Sequence, residues 1–276
     1  MNLSFDNSEY FKFDKSILTK NGNEIHIYKL NSELLDDNSL NNWAFELRNN
    51  YIEEHILEKA ISGTGLAKKE YLEKMIFPDP NIPQGAAIMS GEFGELLVYD
   101  YIDYVLKYYV PRIRYLNKVN PNTPIHGSDV IGYKIKIGNQ PSKDDELLVA
   151  EVKTRSTVSG DKTKACTKIV TDAITDSNKD RVRVGESLNA EKLKLLSRNR
   201  IEEANIVERF QNKTDNPYKL EFFAVAVMDN ELYSDQVVLD VVNSQGGNIK
   251  STNILIIHSK KLKLFLRDLY RRACLC

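Results

Sequence analysis

The sequence predicts an α/β (α+β) fold, a mixed central sheet flanked by helices. Three observations point there. Apolar runs rich in β-branched and aromatic residues recur at 147–152, 221–229 and 253–259, the pattern of strands buried on both faces. Stretches with apolar residues every three or four positions lie between them, as amphipathic helices require. The runs at 130–137 and 147–152 are separated only by turn chemistry (Gly138, Asn139, Pro141, Ser142 and two aspartates), which predicts an antiparallel hairpin.

In chain order, Glu24–Leu30 alternates as a strand and Leu34–Ser39 is a turn ending in a good helix cap. Leu40, Trp43, Ala44, Leu47, Tyr51 and Ile56 then form one amphipathic helix, with Trp43 in the core rather than offered to a base. Residues 61–70 hold two glycines but lack the glycine–lysine–hydroxyl spacing of a phosphate loop, and no strand precedes them. The proline-rich 77–83 marks a boundary between an accessory region, 1–83, and a main domain, 84–276. Ser90 caps the next helix, which runs to Pro111 with Leu96, Leu97, Tyr101, Val105 and Tyr108 inward. Glu92 and Glu95 suit the positive end of that helix dipole.

After the hairpin, Ala165, Ile169, Val170, Ala173 and Ile174 mark a helix with Lys162, Lys164 and Lys168 near its start. These lysines are either a solvated basic face or contacts for phosphates. A second helical region, about 188–211, buries Leu188, Leu193, Leu196, Ile201, Ala204, Val207 and Phe210, and carries Lys192, Lys194, Arg198 and Arg200. The last helix turns Leu262, Phe265, Leu266 and Leu269 inward.

Composition sets bounds. With 276 residues, 42% of them apolar, the chain has ample core for one large or two small domains. No apolar run reaches membrane-spanning length, and the first residues lack a basic-then-apolar signal pattern, so no membrane role is expected. Cys166, Cys274 and Cys276 are too few and too badly spaced for a zinc site or disulfide framework, which suits a reducing cytoplasm. The net charge is −1, unevenly spread: residues 1–110 carry 10 basic and 18 acidic side chains, residues 153–213 carry 14 and 9. Such a chain should bind nucleic acid weakly by itself and release it readily in salt.

The chemistry follows from register. Residues facing each other across a hairpin have numbers that sum to a constant, so Asp129 lies beside Glu151 and Lys153, which leave one face of their strand. Two carboxylates and an ammonium do not normally gather at the end of an apolar strand unless a ligand or metal meets them. Two carboxylates about 4 Å apart repel by roughly 4 kcal/mol at an effective dielectric of 20. Without a metal, either one of them should hold its proton well above the usual range or the site should loosen.

Asp129 followed by Glu151-Val152-Lys153 resembles the PD-(D/E)xK nuclease superfamily, with Ser128 where a proline often stands. The resemblance implies a restriction-endonuclease-like core with an N-terminal α/β extension. It further implies Asp129, Glu151 and the Val152 carbonyl as ligands of Mg²⁺ or Mn²⁺, and Lys153 as the group that orients the attacking water or offsets developing negative charge. A glutamate on the preceding helix would complete the site, and Gly91-x-x-x-Glu95 matches that pattern, so Glu95 is preferred to Glu92. In that fold the helix bearing Lys162, Lys164 and Lys168 packs beside the active site. His126 stands three residues before Asp129, as a strand-end hydrogen-bonding group rather than a phosphate contact.

The wording GEFGELLVYDYI, HGSDVIGY and LLVAEVKTR, within about residues 90–180, is similar to the nuclease subunit family of the bacterial Hachiman anti-phage system (HamA). That likeness implies a DNA-degrading effector held in a complex with a large ATP-dependent helicase subunit (HamB-like) until phage or damaged DNA is sensed. The acidic N-terminal part would then dock the partner or shield the cleft. A stand-alone restriction-type endonuclease, and a non-catalytic subunit keeping the fold as an interaction platform, are the competing readings.

Overall fold

The computed structural model of the chain describes residues 5–138, 140–245, 249 and 251–276. Strands β1 (Phe11–Leu18), β2 (Glu24–Leu30), β3 (Val130–Lys134), β4 (Glu146–Arg155), β5 (Lys219–Asp229) and β6 (Thr252–Ser259) form one mixed sheet in the order β1-β2-β6-β5-β4-β3. The four inner strands are mutually parallel, while β1 and β3 close the two edges antiparallel. β3 and β4 are the expected hairpin, in the register Val130↔Ala150. Asn139, in its turn, lies outside the described residues.

The described α-helices are α1 (Asp37–Asn49), α2 (Glu54–Ile61), α3 (Lys68–Tyr71), α4 (Pro83–Asp100), α5 (Lys162–Ser197), α6 (Ile201–Arg209), α7 (Asp235–Ser244) and α8 (Leu262–Ala273). The pleat of β4 distributes them over two layers. Leu148, Ala150 and Val152 pack with Trp43, Phe93, Leu97 and Leu266 under α1, α4 and α8. Leu147 and Val149 face the other way, against Val184, Leu188, Val207 and Phe210 of α5 and α6. The first half of α5 packs with α7 on a separate cluster built on Ala224, Ala226, Ile254 and Ile256. Glu151 and Lys153 thus emerge from β4 on the α5 side. β1 and β2, from the expected accessory region, continue the same sheet through the β2–β6 pairing.

Several boundaries differ from the sequence expectations, each for a local reason. The first hairpin strand stops at Lys134, leaving Ile135 and Ile137 36% and 61% exposed. The Asp145 carboxylate ends it by accepting the Lys136 and Ser142 amides, both at 3.0 Å. The helix expected over Leu40–Ile56 is two helices, because the Asn50 side chain donates to the Glu46 carbonyl and caps α1. Helix α4 starts at Pro83, not Ser90, since proline is pre-set for the first helical position and lacks the amide that would go unpaired. Ser90 instead bonds the Ser156 hydroxyl at 2.9 Å. Glu92 and Glu95 therefore lie well inside the helix, beyond reach of its dipole.

The two helices expected after the hairpin divide elsewhere. α5 runs unbroken through Gly185 to Ser197, and the break comes at Asn199, a residue that tolerates its positive φ of 57°. That shift leaves Leu193, Leu196 and Ile201 exposed rather than inward. β1 and α7 carry no clear signature in the sequence; β1 is exposed over Lys12–Asp14 without alternation, and the valines of α7 favour a strand by propensity. No described helix is long and apolar enough to cross a membrane.

Candidate active site

The site forms where β3 begins and β4 emerges from the core. Gly127 adopts φ +105°, a conformation that side chains rarely take, and so turns the chain into Ser128 and Asp129. The Ser128 amide and hydroxyl both meet the Ser187 hydroxyl of α5 at 3.1 Å. A proline there would have no amide to offer, which gives the serine at this position a physical reason. Asp129 accepts the Val152 amide at 2.9 Å through one oxygen and pairs with Arg114 at 3.1 Å through the other. For Val152, then, the backbone group paired with Asp129 is the N–H.

Glu151 is 8% exposed and accepts from the Lys153 ammonium at 2.6 Å. Lys153 also pairs with Asp176 of α5 at 2.9 Å. Burial is the main reason the Glu151 carboxyl is held well above its usual pKa; the neighbouring Asp129 adds to this and Lys153 opposes it. Burial works against the Lys153 charge, but Glu151 and Asp176 outweigh it and raise its pKa.

Asp180, one turn beyond Asp176, is absent from the residues that the sequence pattern singles out. It is 1% exposed and neither carboxylate oxygen has a hydrogen-bond partner. Burial first, then the Asp129 charge, push its pKa up, while Glu151 and Ser128 lie near enough to relieve it slightly without bonding geometry. A signal for it existed: Ala173, Ser177, Asp180, Val184 and Leu188 share the buried stripe of α5, and an aspartate there is out of pattern.

Glu95 reaches this region from α4, where its position is fixed by Gly94. A Cβ on Gly94 would lie 1.7 Å from Thr154 Oγ1, so helix and strand touch without a side chain between them. Gly91, by contrast, has open space around it. Glu95 ion-pairs with Arg114 at 2.9 Å and accepts from the Tyr115 hydroxyl. Burial and the Asp129 charge hold its carboxyl well above the ordinary range, against the pull of Arg114. The Arg114 guanidinium thus stands between Glu95 and Asp129, and it also donates to the carbonyls of Ser128 (2.6 Å) and Ile125 (3.1 Å). Glu92 points elsewhere, to Tyr51 at 2.8 Å and Lys118. Of the two glutamates, only Glu95 shares a partner with Asp129.

A cleft of about 390 Å³ opens beside Asp129, lined among others by Arg114, His126, Ser128, Arg183 and Lys194. His126 is exposed there. Lys162, Lys164 and Lys168 are not brought to it. They occupy the first two turns of α5, and at 1.5 Å per residue Lys168 is roughly 18 Å along the axis from Asp180. Lys162 pairs with Glu231 and Lys168 with Asp172, each at 2.8 Å, while Lys164 lies exposed. Of the second basic group, Arg198 and Arg200 are engaged with Glu53 and Glu203, and Lys194 donates to the Arg114 carbonyl at 3.0 Å.

Among the described residues, no three of the His, Cys, Asp and Glu side chains already converge as a metal cage. Asp129 and Glu151 are occupied instead by Arg114, the Val152 amide and Lys153. The donor chemistry nevertheless fits a hard divalent ion: Asp129, Glu151 and Asp180 offer carboxylate oxygens, and those of Asp180 are buried without partners.

A family model described as HamA matches residues 6–273 of the 276. Neither the curated proteins nor the solved structures offer a match to this chain.

Proposed function

This chain belongs to the HamA family, of the Hachiman anti-phage defence system, and on that basis we propose that it is a metal-dependent deoxyribonuclease, the system's DNA-degrading effector. The observation that carries the proposal is the meeting of Asp129, Glu151 and Lys153 where β3 and β4 leave the core. Phosphodiester hydrolysis needs an activated water, a partner for charge developing on phosphorus-bound oxygens, and fixed geometry. Asp129 and Glu151 would hold Mg²⁺ or Mn²⁺, which supplies a more acidic bound water and a counter-charge for the phosphate. Lys153, held by Glu151 and Asp176, keeps an ammonium beside that place to orient the water or offset negative charge. Arg183, on the rim of the cleft, offers a cation to the DNA backbone. Asp129 is fixed by two backbone-anchored partners, so its carboxylate is placed before substrate arrives.

An ATP-dependent helicase subunit completes the proposal as the partner that delivers DNA. The support is electrostatic: with a net charge of −1, and with Arg114 and Lys194 of the cleft engaged internally, the chain holds DNA poorly unaided. The test is Mg²⁺-dependent cleavage of plasmid and linear DNA, with and without the helicase, comparing the native chain with Glu151→Ala and Lys153→Ala. Loss of cleavage by about 10²-fold or more in both variants is the expected result. Unchanged cleavage and unchanged phage protection in both would overturn the assignment.

A further inference from the structure

Asp180 occupies a position where the α5 stripe otherwise carries small or apolar side chains: Ala173 and Ser177 precede it, Val184 and Leu188 follow. It is 1% exposed, and both carboxylate oxygens lack a hydrogen-bond partner. A carboxylate withdrawn from water without partners strongly disfavours the folded state. Its surroundings offset this only in part, since Glu151, Arg183 and Ser128 relieve it less than burial and Asp129 oppose it. Asp129 and Glu151 face it from β3 and β4 and are themselves acids, while Arg183, one turn along α5, is the cation whose charge reaches it. Asp176, the neighbouring acid on α5, is in a different situation, because Lys153 and Lys179 neutralise it.

We infer that Asp180 is a third protein ligand, with Asp129 and Glu151, for a divalent cation of the Mg²⁺ or Mn²⁺ type. Three carboxylates drawn from β3, β4 and α5 make an all-oxygen donor set suited to such an ion. The helix that carries the α5 donor packs into the sheet on both sides of it, at Ile169–Ile174 and at Val184–Leu188. The inference rests on the metal-dependent reading above and extends it to a residue outside the Asp129, Glu151 and Lys153 group.

The experiment uses the full chain and Mn²⁺ as the probe. Calorimetric titration compares the native chain, Asp180→Asn and Glu151→Gln, and each is also melted in metal-free buffer at pH 8. Asp180→Asn should weaken Mn²⁺ binding by about tenfold or more, as Glu151→Gln does. It should also raise the metal-free Tm, because an amide replaces a buried unpaired charge. Unaltered Mn²⁺ affinity in Asp180→Asn, or a lowered metal-free Tm, would show Asp180 to be a structural residue and overturn the inference. A folded native chain that takes up no Mn²⁺ would instead overturn the metal-dependent reading itself.

Discussion

Replacing Gly94 by alanine sets two effects of known size against each other. In the interior of a helix the change gains up to ~1 kcal/mol from propensity. In this helix the new methyl would lie 1.7 Å from Thr154 Oγ1 and 2.9 Å from Thr154 Cβ. A hydroxyl can rotate aside, but a Cβ moves only with its strand, so α4 must lift from β4. Overpacking of this kind costs about 1–3 kcal/mol, and contact with a backbone-anchored atom belongs in the upper half of that range. The expected net loss is about 1–2 kcal/mol, at about 2–4 °C of Tm per kcal/mol for a chain of this class. Lifting α4 also carries Glu95 away from Arg114 and Tyr115, so DNA cleavage should fall together with stability. Thr154→Ala removes both the clashing oxygen, which has no hydrogen-bond partner, and the Cγ2 methyl at 3.2 Å. Because the Thr154 Cβ at 2.9 Å remains in alanine, the double variant should recover only part of the loss, a coupling on the order of 1 kcal/mol. Urea denaturation at constant m value, read beside thermal melts, measures all four corners of the cycle. If Gly94→Ala melts at or above the native temperature, the contact between α4 and β4 does not fix Glu95 and the reasoning fails.

Ser128→Pro removes the amide that meets Ser187 and should lower stability by about 1–2 kcal/mol and slow cleavage, checked by urea titration and a plasmid assay. Arg183→Ala should weaken DNA binding and reduce the slope of log affinity against log salt by about 1, whereas removing Lys162, Lys164 and Lys168 together should leave that slope unchanged. Fluorescence anisotropy over a salt series distinguishes the two. Glu191, part exposed at the cleft but with its carboxyl accepting from Tyr133, is pushed up to about 8 by burial, against that hydrogen bond. The folded chain then holds this proton where the unfolded chain has lost it, so stability should fall as pH rises from about 5 to 8. Glu191→Gln should lessen that dependence in melts taken across the range, leaving the share of Glu95 and Glu151.

Much of this arrangement is legible in the amino-acid sequence. The hairpin, the convergence of Asp129 with Glu151 and Lys153, and strands β5 and β6 follow from period, turn residues and register, all local properties of the chain. The expectation that one acid of the Asp129–Glu151 pair keeps a proton agrees with the raised Glu151 carboxyl, where burial contributes more than the Asp129 charge. Other features depend on contacts between residues far apart in sequence. Nothing local marks Gly94 rather than Gly91 as the close approach, or says that Arg114 would stand between Glu95 and Asp129. Asp180 is hidden by a misplaced break. Once α5 is divided near Gly185, its stripe is interrupted and the odd aspartate no longer stands out. The lysines at the start of α5 fall away from the site for the same reason, because an uninterrupted 36-residue helix carries its first turns far from its middle.

The place of β2 in the sheet bears on how the chain comes to be folded. Its inner neighbour is β6, and a bond such as that between Leu30 and Ser259 joins residues 229 positions apart. Loops of that length close slowly, since their entropy is lost before any contact compensates it. During synthesis Ile25 and Ile27, both fully buried in the finished sheet, wait exposed until the last strand has emerged. The β1–β2 side of the platform therefore joins the sheet only once β6 has emerged.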